Sequence, residues 1–153
     1  MAQASDITDV MTFLRSKSIA VISTVSPEGK PEAATIYFTV DEKFHFHFLT
    51  KTFARKYKNI SLNPRVALVV GTESEPVTVQ VEGVAVKISD QVEFNAQFEN
   101  MTKIFSKLEY IAPMFQLSEG QHELVIFKIT PDWIRFLDLR GTKSNGSFIQ
   151  ILP

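Results

Sequence analysis

The sequence predicts a mainly β protein with some helix (α+β class): a closed or partly closed antiparallel barrel of six or seven strands with peripheral helices. Short apolar or β-branched segments alternate with turn residues along most of the chain, whereas helical periodicity occurs in only three places. The 153 residues, 44% of them hydrophobic, suit a single domain (residues 1–153) with a core of its own. This combination is typical of a small barrel.

The start of the chain predicts a helix followed by a β-hairpin. Residues 6–17 carry one apolar stripe, and Ser5 is the expected N-cap. The segments 19–25 and 31–40 are rich in apolar and β-branched residues and predict two strands. The sequence "SPEG" between them has Pro at the second and Gly at the fourth position of a tight turn. We therefore expect the two strands to pair.

The next part of the chain predicts a strand, a short helix and a second strand. In "FHFHF" (44–48) aromatic residues alternate with histidines, which indicates a strand with a phenylalanine face. Apolar residues recur at helical spacing over 53–62, and Asn63-Pro64 ends that helix because the residue before proline avoids the helical region. "RVALVV" (65–70) is almost wholly apolar and predicts a strand that is buried on both faces.

The segment "VTVQVEGVAVKI" (77–88) predicts a long strand with an irregularity at Gly83. Its valines occupy odd-numbered positions before Gly83 and even-numbered positions after it. A one-residue bulge at the glycine would reverse the inward and outward faces in this way. Such a bulge helps a strand to turn the corner of a barrel.

The second half of the chain predicts one helix and two further strands. Residues 90–108 have the longest helical periodicity, and Asp90 with Glu93 resembles a capping box. The Phe and Met side chains of this helix either pack on the barrel mouth or line a substrate pocket. Two strands are expected at 123–129 and 133–139, joined by "TPD".

Composition excludes several classes of function. Without cysteine there is no disulfide, thiolate zinc site or thiol nucleophile. No apolar run resembles a signal peptide or a membrane span, so a cytoplasmic protein is expected.

His45 and His47 share a strand face as two metal ligands would, but no third ligand accompanies them. We expect a structural pair and no metal site, and no catalytic residue is assigned.

A basic stretch in an otherwise neutral chain predicts an anion site. The net charge is −1, yet no Asp or Glu occurs between Lys43 and Thr72. Arg55 and Lys56 fall in the first turn of the expected helix, where free N–H groups and the helix dipole also attract an anion. Thr50 and Thr52 add hydroxyl donors, so a phosphate fits. A solvated basic face on a surface helix explains the same residues.

The residues around this stretch resemble a known family. The ordered set "SPEGKP", an aromatic strand ending in Thr, "ARK", "NISLNPRV" and "VEG" is similar to that of flavin-binding split-barrel proteins related to pyridoxamine 5′-phosphate oxidase. The resemblance implies a split barrel that binds FMN at the interface of a homodimer, with Thr50, Arg55 and Lys56 on the phosphate. The flavin site that it implies consists of Ala34, Thr35, Ile36, Tyr37, Leu49, Thr50, Lys51, Arg55, Lys56, Thr78 and Gln80.

Two departures limit what this resemblance implies. Ala54 stands where many relatives have a serine, and the C-terminal segment lacks the Arg and His residues that grip pyridoxamine phosphate in the oxidases themselves. The expected function is therefore an FMN-dependent oxidoreductase that acts on an unidentified small molecule and has neither nucleic acid nor a membrane as a partner. The alternatives are a deazaflavin-dependent reductase, a non-catalytic flavin-binding or stress-related protein, and a nucleic-acid-binding barrel that uses Phe53 and Tyr57.

Overall fold

The computed structural model describes residues 2–71, 74–108, 123–141 and 148–153. Within them the strands are β1 (Ile19–Val25), β2 (Pro31–Val40), β3 (Phe46–Lys51), β4 (Arg65–Gly71), β5 (Val77–Lys87), β6 (Leu124–Asp138) and β7 (Ile149–Leu152). The helices are α1 (Ala4–Arg15), α2 (Arg55–Leu62) and α3 (Gln91–Phe105). None of these helices combines the length and apolar character that crossing a bilayer requires.

The strands form one antiparallel sheet that closes on itself. Their order is β3-β2-β1-β4-β5-β6-β7, and an additional pairing of β3 with β6 turns the first six strands into a barrel. β7 is an extra strand on the outer edge of β6. The predicted mainly β split barrel with peripheral helices is confirmed.

Two apolar clusters hold the barrel and its helices together. The larger one fills the interior, with Ile22, Phe38 and Phe48 among its most deeply buried side chains, and it includes Phe13 and Leu14 of α1. The smaller one lies outside the barrel, where α3 packs on β3 and β6. α1 and α3 thus cover different parts of the sheet and leave other parts open.

The predicted hairpin of β1 and β2 is confirmed. The two strands pair continuously from Ile19 opposite Tyr37 to Val25 opposite Pro31. Gly29 has a φ of 77°, which glycine adopts without strain, and its N–H donates to the Ser26 carbonyl oxygen at 2.9 Å.

The first two helices begin at different residues than predicted. α1 starts at Ala4 with Gln3 as its N-cap, because the Asp6 carboxylate accepts a hydrogen bond from the Gln3 N–H at 2.7 Å; the expected cap, Ser5, lies inside the helix. α2 starts at Arg55 instead of residue 53 because a turn precedes it, in which the Ala54 N–H donates to the Lys51 carbonyl oxygen at 3.0 Å.

The third strand also begins later than predicted. Phe44 has a φ of 62° and belongs to a turn in which the Asp41 carboxylate accepts hydrogen bonds from the N–H groups of Lys43 and His45. β3 therefore runs from Phe46 to Lys51, and its side chains are buried on both faces up to Thr50. The alternating pattern could not predict this because α3 covers the outer face.

Two predictions about burial are wrong. β4 is buried on one face only, and Val69 on the other face is 46% exposed. β5 keeps its odd-numbered residues inward beyond Gly83, so Ala85 is buried and Val86 is 57% exposed. Both strands therefore have an apolar outward face, which the sequence alone does not distinguish from a buried one.

The two strands predicted near the C-terminus are one continuous strand, β6. The expected bulge occurs where predicted, but the extra residue is on β6: Glu82 pairs with Trp133 and Gly83 pairs with Pro131, which leaves Asp132 unpaired. Pro131 is tolerated at this irregularity because a bulge removes the need for its N–H. A Cβ on Gly83 would lie 2.8 Å from the Pro131 Cα, so only glycine fits opposite the bulge.

The longest helix is shorter than predicted, and one strand was not expected. α3 spans Gln91–Phe105 instead of 90–108, and the Asp90 carboxylate caps it by accepting from the Glu93 N–H at 2.8 Å. The Glu93 carboxylate pairs with Lys128 at 2.8 Å. β7 escaped prediction because four residues on the edge of a sheet carry little periodicity.

Replacing Gly83 with alanine should destabilise the fold. The new methyl group would collide with the backbone of Thr130 and Pro131, which cannot move aside as a side chain can. We expect the free energy of unfolding, measured by urea denaturation, to fall by about 1–3 kcal/mol. Gly141→Ala is the matched control because nothing lies within 4 Å of its added methyl group. Equal stability of the two variants would contradict this explanation of the bulge.

Candidate functional site

Two adjoining cavities lie at the start of α2, beside the ends of β2 and β3. The larger, of about 340 Å³, is lined by Thr35, Ile36, Tyr37, Leu49, Thr50, Lys51, Phe53, Ala54, Lys56 and Leu124. The smaller, of about 200 Å³, is lined by Thr24, Glu32, Ala33, Ala34, Arg55 and Lys56. Lys56 belongs to both walls and therefore stands where the two spaces meet.

Nine of the eleven residues predicted for the flavin site line these cavities. They come from the middle of β2, the end of β3 and the first turn of α2. Phe53 and Leu124 line the larger cavity as well, although the sequence did not mark them as site residues. Leu124 arrives there through the pairing of β6 with β3, where it lies opposite Lys51, and no local pattern indicates that contact.

Lys56 is the most unusual charged residue of this site. Its side chain is half-buried, and burial, with a smaller contribution from the neighbouring Arg55, lowers the pKa of its ammonium group. No carboxylate pairs with Lys56 among the residues that the structure describes. Burying a cation without a partner costs free energy, so the geometry fits an anion that is supplied from outside the chain.

Arg55 has a partner that its own stretch of sequence does not contain. Its guanidinium lies 3.1 Å from the Glu32 carboxylate on β2, and the other oxygen of Glu32 accepts from Asn59 at 2.9 Å. Asn59 also donates to the Thr24 hydroxyl at 2.9 Å. Arg55 is thus paired by an acidic residue that lies outside the acid-free stretch between Lys43 and Thr72. The Arg55 side chain is 76% exposed, so this ion pair is weak.

The start of α2 is open to a negatively charged group. Ala54 is the N-cap residue and provides no side-chain hydrogen bond, and no acidic residue lies in the first turn. The first N–H groups of the helix and its positive dipole end therefore lack a partner from the cap. Thr50 is buried and lines the larger cavity together with Lys56.

Aromatic rings form one side of the larger cavity. Tyr37 packs edge-on against Phe105 of α3, with ring centroids 6.0 Å apart, so the helix holds this side of the cavity in place. Phe53 is 56% exposed and lies 5.7 Å from the Lys51 ammonium. Tyr57 faces the other way and packs against Phe127 in the core. A flat apolar molecule with an anionic end suits this combination of walls.

Thr78 and Gln80 lie on β5, away from both cavities. Gln80 is paired with Val69 on β4, and Val69 is paired with Val21 on β1. Val21 is paired in turn with Thr35 at the cavity wall. Three inter-strand spacings, about 14 Å, therefore separate Gln80 from the cavity within one chain.

The two histidines on β3 and its preceding turn have separate surroundings. His45 Nδ1 lies 2.9 Å from the Asp41 carboxylate. His47 is buried, and burial lowers the pKa of its imidazole. In the parts of the chain that the structure describes, no group of three His, Cys, Asp or Glu residues could hold a metal ion. His122 lies outside the described residues.

Two solved structures share this fold over nearly the whole chain. An FMN-binding protein from Nostoc punctiforme, related to pyridoxamine 5′-phosphate oxidase, superposes with a TM-score of 0.63 at 18% identity and covers 100% of each chain. A heme-binding protein from Mycobacterium smegmatis gives a TM-score of 0.74 at 15% identity, over 99% of this chain and 60% of the other. At such identities the likeness concerns the fold alone.

Sequence comparison gives the family. A curated pyridoxine/pyridoxamine 5′-phosphate oxidase from Rubrobacter xylanophilus is 36% identical over 71 residues, which is 46% of this chain and 33% of that protein. The match thus spans about a third of the relative's length. The profile of the pyridoxamine 5′-phosphate oxidase family matches residues 8–138, most of the chain. The protein therefore belongs to the pyridoxamine 5′-phosphate oxidase family.

Proposed function

We propose that this protein is an FMN-binding flavoprotein and an oxidoreductase. The observation that carries the proposal is Lys56, a half-buried cation without a carboxylate partner in the described part of the chain, at an uncapped helix start. It stands beside a cavity of about 340 Å³ with a mostly apolar wall. A phosphate joined to a flat ring system satisfies both features at once.

The residues present fit such a cofactor. Thr50, Arg55 and Lys56 would hold the phosphate together with the first N–H groups of α2, since charges, hydroxyl and helix dipole converge there. Residues 34–37 of β2 would run along the ring, and Leu49 and Lys51 would complete the wall. Because Glu32 pairs with Arg55, this arginine must exchange its weak surface pair for the phosphate, whereas Lys56 has no ion pair with any described residue.

The chemistry follows from what the flavin supplies and from what the protein does around it. A bound flavin exchanges hydride or single electrons at its ring. The chain's own residues bind the phosphate, orient the ring against β2 and exclude water on the side walled by Tyr37 and α3. The substrate that we propose is a small molecule other than pyridoxamine phosphate, because residues 135–153 do not resemble the Arg- and His-containing segment that grips that substrate in the oxidases.

We further propose that the working unit is a homodimer with the cofactor at its interface. Ile19, Val21 and Val69 form an outward apolar group on β1 and β4, each between 46% and 49% exposed. This face separates the cavity from Gln80 within one chain. A second copy packed on it would cover the valines and bring its own Thr78 and Gln80 toward the ring.

Removing the charge of Lys56 should weaken FMN binding selectively. We expect Lys56→Met to raise the Kd for FMN by about 10- to 100-fold, because a charge-assisted hydrogen bond to phosphate is lost. The measurement is quenching of flavin fluorescence on titration with apo-protein. Riboflavin, which has no phosphate, should bind the variant as it binds the unmodified protein.

Lys58→Met is the matched control for this experiment, because Lys58 is an exposed lysine on the same helix and outside both cavities. If Lys56→Met bound FMN as tightly as Lys58→Met, the phosphate site would be misplaced. Mass and fluorescence of the coenzyme extracted from the purified protein separate FMN from a deazaflavin.

FMN affinity should fall at alkaline pH. Burial lowers the pKa of Lys56 below the ordinary lysine value, so the ammonium loses its proton, and its attraction for phosphate, at a lower pH than an exposed lysine would. Titrations from neutral pH to about pH 10 should show this loss in the unmodified protein. Lys56→Arg should bind FMN with little change over the same range, since arginine stays protonated. The same pH profile in both proteins would contradict this assignment.

Charging the outward valines should separate the subunits. In the double variant Val21→Lys and Val69→Lys, the two new ammonium groups would lie side by side on neighbouring strands of the proposed interface. We expect a monomer by light scattering after size-exclusion chromatography, with FMN affinity strongly reduced. Val92→Lys, at a 77% exposed valine on α3, should remain dimeric. A monomeric unmodified protein, or a double variant that stays dimeric, would show that this face is not the interface.

A further inference from the structure

A cavity larger than the two assigned to the flavin lies elsewhere among the described residues. It is a groove of about 520 Å³ between the end of α1, the end of β2 and the last turns of α3. It shares no lining residue with the 340 Å³ cavity or with the 200 Å³ cavity. Its volume lies within the range of small-molecule sites, about 300–1,000 Å³.

The groove has an apolar floor. Leu14 and Phe38 are almost completely buried beneath it. Ile104 on α3 and Leu108, just beyond the end of α3, form one side. Ile104 is 40% exposed, because the helix does not close over the sheet at this point. The apolar side chains of Ile104 and Leu108 therefore line a space instead of filling it.

The rim of the groove is positively charged. Arg15, Lys17 and Lys107 line it, and none of the described lining residues is acidic. Lys17 is neutralised by Glu75 at 2.5 Å. Arg15 lies 3.8 Å from Glu42, whose side chain is 89% exposed, and a pair of that kind leaves most of the positive charge available.

Lys107 has no ion pair within the described ranges, so two of the three cations face the groove with little compensation. A rim of this composition, above an apolar floor, complements a molecule with one negative group and an apolar body.

A buried hydroxyl group beneath the groove lacks a partner. Thr39 is only 5% exposed, and its Oγ1 makes no hydrogen bond to any described atom. Thr39 is also one of the residues that form the groove wall. A buried polar atom without a partner is uncommon in folded proteins and costs free energy. A ligand with a second polar group could satisfy it after a small shift of the side chain.

We propose that this groove is a second binding site and that it takes a small amphipathic carboxylate, with its apolar body on Leu14, Phe38 and Ile104 and its carboxylate between Arg15 and Lys107. The proposal is independent of the flavin site, since neither the residues nor the walls are shared. Tyr37 of the ring cavity packs against Phe105 of α3, and the same helix contributes Asn100 and Ile104 to the groove.

A matched pair of fluorinated probes tests the proposal on the full-length protein. Para-trifluoromethyl-benzoate carries the carboxylate, and para-trifluoromethyl-benzyl alcohol replaces it with a neutral group of similar shape. Fluorine NMR titration should give a saturable interaction for the benzoate and a weaker one for the alcohol. Lys107→Gln should raise the Kd of the benzoate by about fivefold, the effect of one solvent-exposed charge, and leave the alcohol unchanged.

Two further variants locate the site. Lys103→Gln is the matched control, because Lys103 lies one turn earlier on α3, is paired with Glu99 and does not line the groove. Ile104→Trp should fill the groove and abolish binding of both probes, and this exposed position tolerates the larger side chain.

Saturating FMN should leave the benzoate bound if the groove is the site. Displacement of the benzoate by FMN, or equal effects of Lys107→Gln and Lys103→Gln, would overturn the proposal. Retention of benzoate binding in Ile104→Trp would do so as well. Since FMN binding is read separately in the same samples, failure of this site is distinguishable from failure of the flavin site.

Discussion

The pairing of β3 with β6 is the interaction on which the rest of the molecule depends. It closes six strands into a barrel, and it sets the end of β3 beside the start of β6, with Lys51 opposite Leu124. The chain that leaves β3 must then turn along the rim of the barrel, where α2 begins. Asn59 anchors that helix to β1 through Thr24, which holds Lys56 at the meeting point of the two cavities.

The barrel closes only because one position on β5 has no side chain. Gly83 lies against the backbone of Pro131 at the point where β6 carries an extra residue, Asp132. Asp132 forms an ion pair with Arg65 at the start of β4. The bulge on β6 therefore also contacts β4, which lies beyond β5 in the sheet. The long strand β6 thereby changes direction without losing its pairing with β5, and its first half can reach β3.

Features that depend on residues close in sequence were predicted better than features that depend on contacts formed only on folding. The tight turn at Gly29, the hairpin and the end of α2 before Asn63-Pro64 depend on residues close in sequence, and the family resemblance supplied the order of the pieces. The partner of Arg55 was missed because Glu32 lies on another strand and meets it only after folding. Apolar runs such as β4 and the end of β5 were read as buried because composition does not tell an interior face from an outward apolar one.

The outward apolar faces of β1 and β4 also lie between the two groups of predicted site residues, those at the cavities and those on β5. A sheet separates Thr35 from Gln80 by three strand spacings, about 14 Å, and side chains on one face of a sheet cannot cross that distance. The strands between them expose Val21 and Val69, which cost free energy in water and contribute nothing to the core. The homodimer that we propose accounts for both facts, because a second copy that covered the valines would also place its Gln80 against the first copy's cavity. On that proposal, the exposed apolar row and the division of the predicted site residues have one cause, which is a binding site completed by two subunits.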